Sequence, residues 1–439
     1  MTPAARNAAA MKILDEILYY TKPSDQVMHS YLQQRRYIGS KDRKAIANLT
    51  YTLLRHYGRL SWWCTKYSLP INGRYFVLLW IALGERRPMA EILSLFGGAA
   101  YAPDALKENE LALLKKIHGK TLETKDMPLG IQCECPPQYL HALQNAWGED
   151  FKTEMQGLDS EAPLDIRVNT LKATRDDVFT KLEQDGFEVS LTLLSPFGIR
   201  VQGRPAFSAH PLYKQGAFEV QDEGSQLLAF LCGVKQGEWG ADLCAGAGGK
   251  TLALAAALKN KGRLWACDVD ARRLENAKLR IKRAGIDCAE LQPLKDMKDP
   301  WLKKHKEKCD FVLVDAPCSG TGTWRRSPFS RWQNLGPSLP ELTEMQRTAL
   351  SAAAPLVKKG GRLIYATCSL LPQENEKQIA AFLEAHPDFK PVPLADMWAR
   401  STDLPVPAIL DLSKHVISLT PARHNTDGFF VGVMEKIKE

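Results

Sequence analysis

The chain contains no apolar run that could cross a bilayer: the strongest, Phe76 to Leu83, stops far short of the ~18–20 residues a spanning helix needs. It has no C-x-x-C pair, and only Cys133 and Cys135 stand close together, a spacing unlike a zinc knuckle, so no metal centre is expected. Met1 to Met11 carries one Arg and lacks a leucine-rich stretch followed by a small-residue cleavage site, so no secretory signal is expected. The ten cysteines, at 64, 133, 135, 232, 244, 267, 288, 309, 318 and 368, then read as reduced thiols of a cytoplasmic protein, most of them small core residues. There is no internal repeat and no low-complexity tract. With 45% hydrophobic and 25% charged residues, disordered and collagen-like chains are excluded. The 439 residues are enough for several cores without disulfide or metal staples, and at ~100–200 residues per domain they predict roughly two to four units.

The net charge of +8 is unevenly placed. Residues 1 to 130 hold 19 basic and 11 acidic side chains, and the remaining 309 residues hold 39 of each. A basic lobe on a neutral body suggests a polyanionic partner held at one end, although a merely solvated basic surface accounts for the charge equally well.

Residues 1 to 125 read as all helix. Ile13, Leu14, Ile17 and Leu18 form one apolar stripe, and Ser40 is placed to cap a second helix with Ile46, Leu49, Leu53, Leu54 and Tyr57 on one face. Lys41, Arg43, Lys44 and Arg55 lie on its polar side, just after Arg35 and Arg36, a pattern that fits nucleic-acid binding. Residues 126–163 turn to Pro, Gly and acidic residues, as a linker with a helical connector would. Residues 164–235 form a small α+β unit, with strands expected at Leu164–Val168, Gly186–Leu194, Gly198–Gln202 and Phe218–Val220 and a helix over Arg175–Asp185. Residues 236–439 repeat strand, turn and helix, with strands at Gly240–Leu243, Leu264–Val269, Phe311–Val314 and Arg362–Ala366 and a late strand at Phe429–Met434. That pattern is an α/β doubly wound parallel sheet.

Two motifs are set at strand ends. Asp242-Leu-Cys-Ala-Gly-Ala-Gly-Gly-Lys-Thr251 is a glycine-rich turn between a strand and a helix, where a ligand can approach backbone N–H groups. A P-loop would need glycine at Cys244, and a dinucleotide fingerprint would need its third glycine at Thr251, so ATP and NAD are disfavoured. Asp268 closes the next strand, where a carboxylate accepts from ribose hydroxyls of an adenosine cofactor. Asp296, after a third strand, is a candidate for the adenine edge.

The second motif comes in two halves. Asp315-Ala-Pro-Cys-Ser-Gly-Thr-Gly322 and Thr367-Cys-Ser369 follow two further strands, and both loops open on the ligand crevice beyond the carboxyl ends of the sheet. Two thiols beside such a cofactor fit methylation of a pyrimidine at C5. A thiolate adds to C6, C5 becomes nucleophilic, and the second cysteine assists elimination. Asp315 would serve near N3, either protonated or bridging to the exocyclic amine. Trp324-Arg325-Arg326 and Arg331-Trp332 are candidates for holding a nucleic-acid strand by phosphate contact and stacking, against the alternative that both tryptophans are core.

These motifs resemble those of the NOL1/NOP2/Sun RNA cytosine-5 methyltransferases, and within that family the bacterial type that modifies 16S ribosomal RNA. Residues 1–125 resemble a NusB-like helical domain. Leu164 to Lys172 and Phe218 to Glu223 resemble the RRM-like subdomain and its junction, and Pro421 with Asp427 to Phe430 resembles the closing motif. The resemblance implies a class I, Rossmann-like fold that binds S-adenosylmethionine through Cys244, Ala245, Gly246, Ala247, Gly248, Gly249, Lys250, Asp268, Asp296 and Asp315. It makes Cys368 the nucleophile and Cys318 the helper in product release, with Lys250, Arg325, Arg326 and Arg331 facing the substrate. It further implies a monomer acting on RNA, naked or in an early small-subunit particle, with no membrane and no metal. A tRNA methyltransferase and an idle RNA-binding assembly factor are the alternatives. One departure stands out: Gly246 and Ala247 replace the family's Ala-Pro, and losing the proline costs ~0.4–1 kcal/mol of rigidity.

Overall fold

The apolar run Phe76–Leu83 is the middle of a buried helix. Gly73–Leu79 continues as a π-turn over Trp80–Gly84, and Phe76, Val77, Leu78, Leu79, Ile81 and Leu83 are all buried. A helix apolar on every side belongs inside a core. Asn72 starts it by accepting the Tyr75 N–H at 3.0 Å, as an N-cap does. The computed structural model describes residues 1–19 and 22–438. It falls into two compact units, Met1–Asp159 with Arg326–Gly336, and Ser160–Arg325 with Pro337–Glu439.

The first unit is helical among its described residues. Helix Pro3–Tyr19 buries Ile13, Leu14 and Ile17, while Leu18 is only partly covered. Helix Ser40–Arg55 buries Ile46, Leu53 and Leu54. Ser40 is not its cap. Gly39 occupies that position, Ser40 is the first helical residue, and a further helix over Ser24–Gln34, inside the stretch read as all helix, precedes them. The stretch expected as a connector contributes helices Leu129–Gln132, Pro137–Trp147 and Phe151–Asp159, which group with the first unit. Phe329 is buried in this unit's core.

In the second unit, strands β1 (Leu164–Val168), β2 (Val189–Leu191), β3 (Gly198–Val201) and β4 (Phe218–Val220) form an antiparallel sheet in the order β2-β3-β1-β4. Helix Arg175–Gln184 joins β1 to β2, and the short helix Pro211–Lys214 precedes β4. This is the βαββαβ arrangement of an RRM-like unit. One face carries Ile166, Val168, Ile199 and Phe218 in its own core. On the other, Glu219 accepts from Arg280 and Arg283 of helix Ala271–Ala284.

The main sheet comprises β5 (Trp239–Asp242), β6 (Arg263–Asp268), β7 (Ala289–Pro293), β8 (Cys309–Asp315), β9 (Val357–Thr367), β10 (Phe389–Pro391), β11 (Val416–Leu419) and β12 (Phe429–Lys436). Its order is β10-β12-β9-β8-β5-β6-β7, with β11 on β12. Strands β5 to β9 run parallel, whereas β12 lies antiparallel to β9. The order reverses between β5 and β8, which makes their carboxyl ends the switch point where a ligand crevice opens.

Candidate active site

The loop after β5 is tied down on all sides. Gly246 N–H donates to Asp268 Oδ2 at 2.7 Å, Ala245 N–H to the Cys267 carbonyl at 2.9 Å, and Arg280 Nη1 to the Ala247 carbonyl at 2.8 Å. Gly246 and Gly248 take φ of +55° and +80°, a region open to glycine. A Cβ on Gly248 would also stand 2.9 Å from that of Ala277. Gly246 therefore suits its backbone better than the family's Ala would, and the hydrogen bonds to Asp268 and Arg280 supply rigidity that the missing proline does not. Helix Gly249–Ala257 starts here, anchored by Thr251 Oγ1 donating to buried Asp242 at 2.7 Å.

Beyond the loop lies a cleft of about 1080 Å³ lined by Cys244 to Ala247, Gly249, Lys250, Asp268, Asp296, Asp315, Cys318 and Cys368. Every candidate cofactor and catalytic residue except Gly248 thus faces one cavity. The donor set fits S-adenosylmethionine. Asp268 spends one lone pair per oxygen, on the N–H of Gly246 and of Asp270, which leaves each oxygen able to accept a hydroxyl. Asp296 Oδ1 accepts the Lys298 N–H at 2.7 Å, so its carboxylate is held at the rim. The apolar wall went unread in the sequence: Val269, Met297, Leu342 and Met345 complete the cleft. Val269 and Met345 are 50% and 42% exposed, large apolar side chains left open at a strand end and on a helix, the one signal that pointed to them.

Strands β8 and β9 are register neighbours, Asp315 opposite Ala366, so the loops that follow emerge side by side. They bring Cys318 Sγ and Cys368 Sγ to 3.3 Å. The Cys368 carbonyl accepts the Gly322 N–H at 2.9 Å, and the Gly322 carbonyl accepts the Gly428 N–H at 2.8 Å. Lys250 Nζ donates to Asp315 Oδ2 at 2.7 Å. Burial works against the Lys250 charge, but Asp315 more than offsets it and the ammonium is held above its ordinary value. The hydrogen bond with Cys318 lowers the Cys368 thiol, aided by Lys250 and opposed by burial and Asp315. The same bond, with burial, raises Cys318 well above the usual thiol range. Of the two thiols, Cys368 is thus the one more readily ionised. Cys244, by contrast, is raised by burial and by Asp268 and is a wall of the cleft, not a nucleophile.

Two of the arginines expected on the substrate are elsewhere. Arg325 is 1% exposed and pairs with Asp427 at 2.5 Å and Asp222 at 3.3 Å. Arg331 is 1% exposed in the first unit, donating to the Glu134 and Leu158 carbonyls at 3.1 and 3.0 Å. Trp324 is buried, and Trp332 packs on Tyr57. Tryptophans interleaved with arginines suggested a strand-binding surface, but buried carboxylates and carbonyls supply the partners that let guanidinium groups enter a core. Arg326 is half-buried. The Asp222–Arg325–Asp427 network explains the two motif fragments at 218–223 and 427–430, since Asp222 also accepts the Asp427 N–H.

Residues 229–435 match the family described as 16S rRNA methyltransferase RsmB/F, and residues 136–207 match a ferredoxin-like domain of RsmF/B-like methyltransferases. The chain is 31% identical over 317 residues to the probable ribosomal RNA small subunit methyltransferase B of Synechocystis sp., covering 72% of this chain and 70% of that protein. It is 30% identical over 365 residues to ribosomal RNA small subunit methyltransferase B of Cronobacter sakazakii, covering 80% and 84%. A methyltransferase homologue from Pyrococcus horikoshii superposes with a TM-score of 0.59 at 26% identity, over 70% of this chain and 97% of that one.

Proposed function

The chain belongs to the 16S rRNA methyltransferase RsmB/F family, and from that premise we propose that it methylates carbon 5 of a cytosine in small-subunit ribosomal RNA. It is an S-adenosylmethionine-dependent methyltransferase. The observation that carries the C5 reading is the pair of thiols 3.3 Å apart on the wall of the cofactor cleft, with Asp315 beside them.

S-adenosylmethionine, held by the loop Cys244 to Lys250 with Asp268 and Asp296, supplies an electrophilic methyl group. The target base leaves its stack, which costs a few kcal/mol, and enters the cleft against Lys250 and Asp315, with Arg326 at the flanking strand. Cys368, the more acidic thiol, adds to C6, and the C5–C6 π pair makes C5 nucleophilic; bound S-adenosylmethionine would supply the methyl carbon, its sulfur keeping the S–CH3 electron pair and leaving as S-adenosylhomocysteine. Asp315 Oδ2 is occupied by Lys250, leaving Oδ1 to accept from the exocyclic amine. A water molecule in the open cleft takes the C5 proton, the C–H electron pair re-forms the C5–C6 double bond, and Cys368 departs as the thiolate. Cys318, within bonding distance of that sulfur, returns a proton to it or assists the elimination.

The first unit supplies the RNA-holding surface, through Arg36, Lys41 and Lys44, which are exposed on and just before one helix. No helix among the described residues is long and apolar enough to cross a membrane. A cytoplasmic monomer acting on 16S rRNA or an early small-subunit particle is the setting this reading adopts.

The test is to incubate the protein with methyl-labelled S-adenosylmethionine and, separately, 16S rRNA, small-subunit particles and tRNA, then digest to nucleosides. Label in 5-methylcytidine from the ribosomal substrates is the expected result. Label only in tRNA, or in another nucleoside, rejects it.

A further inference from the structure

Beneath the two thiol loops lies a carboxylate that the chemistry above does not use. Glu374 is wholly buried, yet it sits six residues past Cys368 and takes hydrogen bonds from both loops. Oε1 accepts the Ser319 N–H at 2.8 Å and Gln346 Nε2 at 2.9 Å. Oε2 accepts the Ser319 hydroxyl at 2.5 Å and the Ser369 hydroxyl. Ser319 follows Cys318 and Ser369 follows Cys368, so one carboxylate is bonded to the residue next to each sulfur. Gln346 reinforces this by donating also to the Pro317 carbonyl at 2.9 Å. Tyr365 Oη donates to the Glu374 carbonyl at 2.6 Å, and neighbouring Asn375 accepts from Thr367 Oγ1 at 2.6 Å and donates to the Ser369 carbonyl at 2.9 Å.

Burying a carboxylate costs several kcal/mol unless it is fully bonded. Four donors on two oxygens meet that demand, and all four come from the two loops and the helix behind them. Nothing in the β8–β9 pairing ends at the cysteines, because the ladder stops at Asp315 and Ala366. The separation of the sulfurs is therefore set by what joins the loops past the ladder.

We propose that Glu374 is a positioning residue for the two-thiol chemistry, a buried clamp that holds Cys318 and Cys368 at working distance. The proposal rests on the cytosine-C5 reading for its consequence in turnover, but its geometry is measurable without it. Losing the clamp leaves Cys368 able to add to a base while Cys318 no longer stands ready at the second step.

The experiment compares wild type, Glu374→Ala and Glu374→Gln. The amide keeps the shape, and the serine hydroxyls can turn to accept from it. Diamide, which takes up the two thiol hydrogens as the sulfurs join, measures sulfur proximity with no RNA present. Expected is at least a tenfold slower Cys318–Cys368 closure in Glu374→Ala, largely restored in Glu374→Gln, with S-adenosylmethionine affinity unchanged within about twofold. With RNA, Glu374→Ala is expected to retain covalent enzyme–RNA adduct while product formation falls. Closure at the wild-type rate in Glu374→Ala overturns the proposal. So does equal loss of closure in Glu374→Ala and Glu374→Gln accompanied by loss of cofactor binding, because that marks a collapsed site rather than a clamp. If Glu374→Ala does not fold, Ser319→Ala removes one hydroxyl donor, and the same closure rate decides. A wild type whose closure depends on Glu374 but which forms no 5-methylcytidine rejects the methylation reading and leaves the clamp standing.

Discussion

Cys318 Sγ and Cys368 Sγ stand 3.3 Å apart, within hydrogen-bond reach of each other, and their bond shifts the two thiols in opposite directions, Cys368 down and Cys318 up. That asymmetry supports the proposed division of labour, in which Cys368 is the nucleophile and Cys318 acts afterwards.

Cys318→Ala is expected to accumulate a covalent enzyme–RNA adduct, because addition proceeds and release does not. Cys368→Ala is expected to form none. Denaturing gels with labelled RNA read both, and an adduct in Cys368→Ala alone reverses the assignment.

The thiolate is also measurable by alkylation. In wild type, iodoacetamide labelling of Cys368 should have its pH midpoint below that of an ordinary thiol, since Cys318 and Lys250 favour the anion. Cys318→Ala removes the first-named of these, so the midpoint should move up. Peptide mass spectrometry follows each cysteine separately, and an unmoved midpoint removes Cys318 as the donor.

The motif residues were legible in the sequence because they lie at the ends of strands whose apolar patterns stand out, as at Phe311–Val314 and Arg362–Ala366. That pattern places Asp268, Asp315, Cys318 and Cys368 at the crevice, whereas their separate roles came from the family resemblance. The arginines did not follow. Arg325 and Arg331 are close in sequence to Cys318, but their partners, Asp427 and the Glu134 and Leu158 carbonyls, lie 102, 197 and 173 residues away. No local pattern records such a bond. Glu374 was missed for the same reason: a charged residue in a Pro-Gln-Glu-Asn stretch looks solvated until its four donors are seen.

That correction separates two kinds of arginine by experiment. Arg331→Ala should destabilise the protein by about 1–3 kcal/mol for each of the two buried carbonyls it leaves without a donor, with no change in the salt dependence of RNA binding. Replacing Arg36, Lys41 and Lys44 together by Glu should leave urea stability nearly unchanged. It should reduce the slope of log K against log salt by about two to three, at ~0.7–0.9 per phosphate contact. A reduced slope in Arg331→Ala with intact stability contradicts the burial assignment.

Glu134 gives a pH signature to the first unit. Burial, with Asp159 nearby, pushes its carboxyl up to about 8 from an ordinary 4.5, against the pull of Arg59 and Arg331. A carboxyl raised on folding favours the native state fully while it is protonated. Its contribution is present below pH 4.5 and is lost as pH rises through about 8. Thermal melts should show stability declining across that window, and Glu134→Gln should flatten the decline. An identical profile in the variant rejects this account.

The discontinuity of the first unit limits how the gene can be cut. Its helices end at Asp159, but one of its core rings, Phe329, and one of its buried cations, Arg331, are encoded far downstream, in Arg326–Gly336. A fragment translated from codons 1–159 would have a vacancy where that ring inserts and two carbonyls, of Glu134 and Leu158, without their donor. An amino-terminal fragment cut at Asp159 would therefore lack part of its own interior, which is carried by the eleven residues Arg326–Gly336.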